Sequence, residues 1–437
     1  MIEKYYSGVI EQIYNRIGKE TRNIVMANYS NDFSIENLEV IRRYQSNEDN
    51  VFFAYSEFSY NTLVGAYEPF LDIICNMHRR FIGGSFDDFQ KECGVYYLHR
   101  QVLNSYYETG ECFREETVLL NEVAYEQRRM TMAIADMLKK LSEVKPLMIV
   151  INRFQMASKS SIETIKYLID NPCANIGIVL GVNAIVKGTD STVEVWDRIV
   201  ESLEDRSAIY YIGSAGPLKN NVKTTNDDEL YITMNFEQSI QEASNIMEFL
   251  DFEQARRGCR IIEHKLKFED AWIDEKSLRR FYMVYARTSV LLGEMSKAIE
   301  LTNEYKALIP ENDSEHYLSL YYFMKGTCYM YQGKLEKAGN SAKSAYDYAV
   351  LAEDDTLIFK AELLSVMIKM SGWYNIFFCV QDIPVSDEII EKLIKHGYRN
   401  HLAHIYIYAY DNSRDVVKQS FYDESLLKHF TKGLELA

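Results

Sequence analysis

Polar residues follow two apolar runs at the places where strands of a parallel sheet would end. Leu147–Ile151 is an unbroken apolar run, and Asn152 and Arg153 come directly after it. Asn23–Ala27 is a second buried-strand pattern, and a polar loop follows it: Asn28, Tyr29, Ser30, Asn31 and Asp32. Ligands of open α/β sheets bind in the crevice at the carboxyl ends of the strands. These residues are therefore the predicted lining of a ligand-binding crevice.

The residue types in this crevice argue against nucleotide hydrolysis. Nucleotide hydrolases usually place an acid after such a strand to hold magnesium, whereas this chain has Asn152 and Arg153. A phosphate loop of the pattern GxxxxGK[ST] wraps phosphates with backbone N–H groups and offsets their charge with lysine. The loop NYSNDFSIENL has neither glycine nor lysine, and Gly18–Thr21 precedes the strand and interposes a glutamate. The sequence predicts a crevice that has lost both nucleotide-handling motifs.

Alternating strand and helix patterns are expected to position the crevice. Buried-strand patterns are separated by segments with helical spacing, which favours a mainly parallel sheet covered on both faces. The first strand, the helix IENLEVIRRY and the strand NVFFAY are predicted to form a β-α-β unit with parallel pairing. The strand that ends at Asn152 is expected to neighbour the strand that precedes Asn28. The predicted segments are strands at 23–27, 50–55, 147–151, 175–182, 208–213 and 229–234, and helices at 2–17, throughout 67–141, at 158–169 and at 192–203.

The pattern becomes entirely helical around Phe236. We predict two domains, an α/β domain over residues 1–235 and a helical repeat array over residues 236–437. Three segments align with Ala255, Ala298 and Ala338 as small anchors, separated by 43 and 40 residues, somewhat more than the roughly 34 of a tetratricopeptide unit. Small residues at such positions let two helices approach closely, so stacked helix pairs are expected.

Tyrosines are abundant in the helical half, with 33 in the whole chain. Tyrosine serves cores and interfaces equally well, so two interpretations are open. Ordinary ring packing is the preferred one. The alternative is a peptide-binding face, for which the candidates are Tyr322, Tyr329 and Tyr331.

Other chemistry has weaker support in the sequence. His401 and His404 stand three residues apart near His396, a spacing that would place two imidazoles on one helix face, but the further ligands of a metal site are missing. Ordinary helix packing is the preferred interpretation, and no metal site is predicted. Acidic pairs such as Asp87-Asp88 and Asp227-Asp228 are interpreted as solvated turns. Signatures of nucleophilic hydrolases and dinucleotide-binding enzymes are absent from the sequence.

The order of these parts resembles the nucleotide-binding domain of signal-transduction ATPases with numerous domains, the STAND class. The resemblance covers roughly residues 5 to 360, with local matches at Tyr67, Pro69 and Phe70, at PLMIVINRFQMASKSSIETIKYLI and at NIGIVLGVN. Two acids in that family correspond here to Asn152 and Arg153, and a downstream acid falls near Ser158. The resemblance implies a P-loop-NTPase-like α/β domain with degenerate motifs, followed by tetratricopeptide-like helices, as in bacterial regulators.

Composition limits the partners. The net charge of −16 opposes nonspecific attraction to phosphate backbones and anionic membranes, which argues against nucleic acid and membrane partners. The seven cysteines are scattered, and the amino-terminal segment does not have the pattern of a signal peptide, so a cytoplasmic location is expected. The final HFTKGLELA keeps a helical pattern, as expected of a short natural form or of the front part of a longer architecture.

Three functional hypotheses follow. The first is a non-hydrolysing regulatory or scaffolding protein, a pseudo-ATPase without a cofactor, that binds a protein or peptide partner through its helical repeats. The second is a nucleotide- or small-ligand-binding switch of the STAND type that holds ATP or ADP without efficient hydrolysis. The third, a DNA-bound regulator, is disfavoured by the acidic charge. Homo-oligomers and hetero-oligomers both stay open.

Overall fold

The computed structural model describes residues 2–29, 38–46, 50–59, 63–183, 186–187, 193–206, 208–213, 223–224, 235–268, 273–312, 314–375 and 387–405. By packing, the chain divides into two compact units. The first unit combines Met1–Phe113 with Asn121–Ala271, and the second combines Arg114–Leu120 with Trp272–Ala437. A short stretch in the middle of the α/β sequence therefore belongs to the helical unit.

A parallel sheet forms the centre of the first unit. Its strands are β1 (Ile24–Tyr29), β2 (Phe52–Glu57), β3 (Leu147–Asn152), β4 (Ile176–Asn183) and, after the two-residue strand β5 (Val186–Lys187), β6 (Ile209–Ile212). Their order is β2-β3-β4-β1-β6, and all neighbours run parallel. Every residue of β3 and β4 is buried, as expected for strands covered on both faces. The predicted parallel α/β sheet is confirmed.

Helices surround this sheet. Those of the first unit are α1 (Ile2–Arg16), α2 (Glu39–Ser46), α3 (Phe70–Met77), α4 (Phe86–Glu92), α5 (Tyr97–Thr109), α6 (Val123–Val144), α7 (Lys159–Asp170), α8 (Val193–Asp205), α9 (Phe236–Glu248) and α10 (Phe252–Phe268). A π-helical turn, His78–Ile82, extends α3, and a 3-10 turn, Phe154–Met156, follows β3. Tyr6, Ile10 and Ile13 of α1 share one buried cluster with Val25 and Tyr29 of β1, so α1 covers the face on which Tyr29 lies.

The strand order differs from the predicted order in two respects. Strand β2 follows β1 in the sequence but pairs with β3, so the expected β1–β2 pairing is wrong. Strand β4 lies between β1 and β3, so the two crevice strands are not neighbours. Apolar runs indicate that a strand is buried, but they do not encode which strand lies beside it. A second sheet pairs β5 with β7 (Lys223–Thr224), and the predicted strand at 229–234 lies outside the described residues.

The region predicted as helical throughout residues 67–141 contains a non-helical stretch. Gly110, at φ 75°, ends α5 in the left-handed region, and residues 111–119 form no helix. Within this stretch Arg114, Glu116 and Val118 are buried whereas Glu115 and Thr117 are exposed, and the chain bends at Glu115 and Glu116. The prediction of helix throughout 67–141 is therefore wrong for this stretch, and the helix α6 starts at Val123.

The second unit is built from consecutive helices joined mainly by short turns. Its helices are α11 (Glu275–Leu291), α12 (Met295–Ala307), α13 (Ser314–Tyr331), α14 (Leu335–Leu351), α15 (Asp355–Asn375), α16 (Asp387–Lys395) and α17 (Arg399–His404). Gly293 and Gly333 adopt positive φ in the turns after α11 and α13, as expected for glycine after a helix end. The predicted anchors Ala298 and Ala338 are fully buried. A Cβ on Gly326 would lie 3.0 Å from Cδ2 of Leu364, which shows how closely α13 and α15 approach.

The first unit runs to Ala271, past the predicted domain boundary of 235/236. Helices α9 and α10 belong to the first unit because its loops and helices hold their backbone and side chains. Nε2 of Gln254 donates to the carbonyl of Val64 at 2.9 Å, and Nε2 of Gln127 donates to the carbonyl of Leu250 at 2.7 Å. Among the described residues, none of the helices combines the length and apolar character that a membrane crossing requires.

Candidate functional site

The predicted crevice brings Tyr29 and Asn152 together. Tyr29 ends β1 and Asn152 ends β3, both are fully buried, and the Tyr29 hydroxyl donates to Oδ1 of Asn152 at 2.5 Å. Asn28 is also fully buried, and because side chains alternate along a strand it faces the opposite side of the sheet. Ser30, Asn31 and Asp32, also predicted to line the crevice, lie outside the described residues.

Gly181 of β4 makes this contact across an intervening strand possible. A Cβ at Gly181 would lie 2.8 Å from Oδ1 of Asn152 and would collide with the Tyr6 hydroxyl. Glycine therefore leaves the space into which the phenol of Tyr6 and the amide of Asn152 project. Burial raises the pKa of the Tyr6 phenol, and the nearby Tyr29, Tyr55 and Glu57 raise it further, so this hydroxyl stays protonated. The result is a buried layer of neutral polar groups.

Arg153 lies at the rim of the crevice, where Glu57 offsets its charge. Arg153 adopts the left-handed conformation, with φ 54°, directly after β3. Its Nη1 lies 3.1 Å from Oε1 of Glu57, and the side chains are 21% and 16% exposed. The hydroxyl of Tyr55 donates to the other oxygen of the same carboxylate. The acid nearest to this strand end is therefore held by a guanidinium and a phenol of the protein itself.

The amino terminus of α7 is also held by the protein's own groups. Ser158, where the family resemblance would place an acid, is buried and caps α7 by accepting from the N–H of Ser161. The N–H of Ser160 donates to Oδ2 of Asp251 at 2.9 Å. The hydroxyl of Ser161 donates to the carbonyl of Glu68 at 2.7 Å, within the predicted YxPF element. Burial raises the pKa of Asp251, and the hydrogen bonds from Ser160 lower it.

The three candidate partner-binding tyrosines all lie on α13 and are half-buried. Tyr322 stacks on Tyr348, with ring centroids 5.6 Å apart. Tyr329 packs against a buried cluster that includes Met330 and Ala338. The hydroxyl of Tyr331 accepts from the N–H of Leu120 at 3.2 Å. The third therefore contacts the segment that precedes α6, and a role in partner binding stays a prediction for all three.

The candidate histidines have separate contacts. His396 stacks on Phe359 with centroids 4.5 Å apart. His401 is buried, and its Nδ1 lies 2.7 Å from Oε1 of Glu116. Across the described part of the chain, no group of three His, Cys, Asp or Glu side chains has the geometry of a metal site. Asp87, from one of the acidic pairs, accepts from Arg100 and Asn104, and Asp227-Asp228 lies outside the described residues.

Residues 114–120, which we call the strap, form a segment held within the second unit; it bends at Glu115 and Glu116 and is non-helical up to Leu120, where a 3-10 turn begins. The hydroxyl of Tyr398 donates to the carbonyl of Glu115 at 2.6 Å. The carboxylate of Glu116 is fully buried, and its Oε1 accepts from the backbone N–H of His401 at 2.6 Å as well as facing the imidazole. The bond from Leu120 to Tyr331 holds the other end. The strap is therefore recognised by side chains and backbone of the helical unit along its length.

Three carboxylates that sequence reasoning did not connect line a cavity of about 340 Å³ in the first unit: Glu68, Asp72 and Glu242. The hydroxyl of Tyr106 donates to Oδ1 of Asp72 at 3.0 Å, and the N–H of Gly65 donates to Oε2 of Glu68 at 2.8 Å. Burial, together with Glu68 and Asp72, raises the pKa of Glu242 to about 7. Burial also raises the pKa of Glu68. This cavity can therefore exchange a proton near neutral pH.

Only a weak local pattern in the sequence indicates this cavity. Glu68 and Asp72 stand four residues apart around a predicted helix start, which places them on one side of the turn. Glu242 is far away in the sequence, on a helix predicted to belong to the other domain. No protein-family model matches the sequence, and no curated protein matches it.

Proposed function

We propose that this protein is a non-hydrolysing regulatory or scaffolding protein that binds a protein or peptide partner through its helical unit. The observation that carries the proposal is the strap, because the helical unit already holds a non-helical peptide segment by hydrogen bonds with Tyr398, His401 and Tyr331. Recognition of a peptide segment by helical repeats is a common mode of protein binding. The resemblance to STAND regulators with tetratricopeptide-like helices agrees with this proposal.

The crevice supports the absence of hydrolysis. Magnesium at a nucleotide needs oxygen ligands with negative charge, and the strand end offers Asn152 and Arg153 instead. Asn152 accepts from Tyr29, and the neighbouring Glu57 is paired with Arg153. A nucleotide in the crevice would have to break these contacts. Even then, the acid that could bind magnesium, Glu57, would still lie beside the guanidinium of Arg153. The protein would act through its surfaces rather than through turnover.

Affinity capture with the full chain tests the partner-binding part. The bait is the wild type, the double variant Tyr322→Ala/Tyr331→Ala, which includes the strap contact Tyr331, and Tyr346→Ala as a matched control, because Tyr346 is an exposed tyrosine of the same unit at 39% exposure. A protein identified by mass spectrometry should be captured by the wild type and the control but lost with the double variant. Circular dichroism must show that all three baits are folded. Equal capture by all three would contradict a partner site on α13.

A small-ligand switch is the second candidate. Buried polar side chains at the strand ends, Asn28, Asn183 and Gln155, favour it because such groups can fix a small ligand. Within the protein Oε1 of Gln155 accepts from the N–H of Asn183 at 3.3 Å, a contact a ligand could replace. Calorimetric titration with a nucleotide panel separates the two candidates. Saturable binding would favour the switch, and flat traces across the panel would exclude it.

A further inference from the structure

The strap occupies its site as a separate peptide would. Its covalent neighbours Phe113 and Asn121 are assigned to the first unit, yet residues 114–120 pack with the helical unit. It is a non-helical segment, bent at Glu115 and Glu116, in the connection between the helices α5 and α6. A bound peptide offers backbone groups to its receptor and places side chains in its pockets.

The contacts select for one side chain. Oε1 of Glu116 accepts from both the backbone N–H and Nδ1 of His401, at 2.6 and 2.7 Å. A carboxylate can only accept, so Nδ1 carries the hydrogen. Glutamine in place of Glu116 would present either the neutral oxygen or the N–H donor of its amide to His401. The site therefore discriminates a glutamate from its uncharged analogue, because hydrogen bonds to a charged acceptor are the stronger ones.

The remaining contacts are compatible with many sequences. Tyr398 donates to a backbone carbonyl, and Tyr331 accepts from a backbone N–H, so neither contact depends on the side chains of the strap. Val118 and Leu119 are buried, with 6% and 5% exposure. The contacts with the helical unit thus specify one side chain of the strap, the glutamate at position 116.

We propose that the surface formed by Tyr331, Tyr398 and His401 is a binding site for a glutamate-containing segment of a partner protein, and that the strap occupies this site until the partner displaces it. This inference rests on the proposed function, because it names the partner class and the control of the same helical unit. Since the strap is covalently attached, its effective concentration is high, and a partner peptide competes only when the strap is weakened or when the partner binds more strongly.

Fluorescence anisotropy with a labelled peptide of residues 113–121, FREETVLLN, tests the proposal on the full-length chain. The receptor variants are wild type, Glu116→Gln to weaken the strap, and Glu111→Gln as a control, because Glu111 is exposed and lies outside the strap. We expect the peptide to bind Glu116→Gln at least about tenfold more tightly than wild type or the control, as competition with an attached segment requires. Adding His401→Ala, or replacing the peptide glutamate by glutamine, should weaken binding to Glu116→Gln by about tenfold or more, as a charge-assisted bond requires.

Hydrogen exchange provides a readout that needs no variant. An excess of unlabelled peptide should speed exchange of the Leu120 N–H in the wild type, because displacement frees it from Tyr331. Unchanged exchange, together with equal or undetectable peptide affinity for wild type and a folded Glu116→Gln, would overturn the proposal. If a partner is still captured in an α13-dependent way while the peptide does not bind, this inference fails and the proposed function stands. If the peptide binds but capture is insensitive to the α13 tyrosines, the partner site on α13 fails instead.

Discussion

Tyr29 donates its hydroxyl hydrogen to Oδ1 of Asn152 over the top of β4, with 2.5 Å between the two oxygens. The bond joins the ends of two strands that are not neighbours, and it depends on Gly181 in the strand between them. It also uses the side chain at the position where a nucleotide hydrolase would hold magnesium. The crevice is thereby part of the buried core of the first unit.

Removing the hydroxyl of Tyr29 should destabilise the protein. A buried hydrogen bond contributes about 1 kcal/mol net, so Tyr29→Phe is expected to lower the free energy of unfolding by on the order of 1 kcal/mol. Urea denaturation followed by circular dichroism measures the difference. Tyr125→Phe is the control, because Tyr125 is 62% exposed and should change nothing measurable. Equal stability of Tyr29→Phe and wild type would mean that the bond is energetically irrelevant.

A methyl group at Gly181 should have a larger effect. The new Cβ would lie 2.8 Å from Oδ1 of Asn152 and would overlap the Tyr6 hydroxyl, so both must move. We expect Gly181→Ala to cost about 1–3 kcal/mol, the usual range for overpacking a core. Gly8→Ala in α1 is the matched control, because nothing lies within 4 Å of its Cβ. That control should gain about 0.5–1 kcal/mol from its helix position, and a tolerated Gly181→Ala would contradict the close packing.

An acid at position 152 should not restore catalysis. Asn152→Asp would supply one magnesium ligand, but Arg153 stays beside it and the loop NYSNDFS stays without glycine or lysine. Hydrolysis needs the phosphate cradle and the metal ligand together, so we expect no phosphate release from Mg-ATP by this variant. A folded variant with measurable turnover would show that the loop still binds phosphates.

The acidic cavity should make stability depend on pH. Burial raises the pKa of Glu242 from 4.5 in the unfolded chain to about 7, with Glu68 and Asp72 facing it as like charges and Tyr106 beside Asp72. The stabilisation linked to this proton is fully present below about pH 4.5 and is lost as the pH rises through about 7. Glu242→Gln should therefore be more stable than wild type at pH 8 and similar to it at pH 5.

Urea midpoints at both pH values measure this difference. Glu237→Gln is the control on the same helix, because Glu237 is exposed and its replacement removes the same charge. The control should follow the wild-type pH dependence. If Glu242→Gln loses as much stability between pH 5 and 8 as the wild type, the cavity does not hold a proton near neutral pH.

The sequence was sufficient to predict helices and strands whose buried residues are consecutive or regularly spaced. The run Leu147–Ile151 predicted β3, and the buried alanines Ala298 and Ala338 predicted paired helices, because local spacing reports directly on burial. The sequence was not sufficient to predict the strand order, because no local sequence pattern indicates that β4 lies between β1 and β3. The pairing of Tyr29 with Asn152 follows from that order and from Gly181, so it could not be predicted.

The strap and the acidic cavity were missed for related reasons. The spacing of Val118 and Leu119 is compatible with a buried helix face as well as with a non-helical segment. Only the contacts of Glu116 with His401, 285 residues away, decide between the two. Glu242 joins Glu68 through the packing of α9 on the first unit, which the predicted boundary at 235/236 had separated. Sites built from distant segments leave little trace in local patterns.

Phosphate release from Mg-ATP by the purified full-length wild type tests the central claim most directly, namely that this protein regulates without hydrolysis. The expected result is release no faster than in a protein-free blank, with no change when magnesium is removed by a chelator. Arg153→Ala, which removes the guanidinium beside Glu57 and leaves its hydrogen bond from Tyr55, serves as the comparison. Magnesium-dependent release by the wild type that this substitution abolishes would contradict the claim, because it would place a working catalytic site in the crevice.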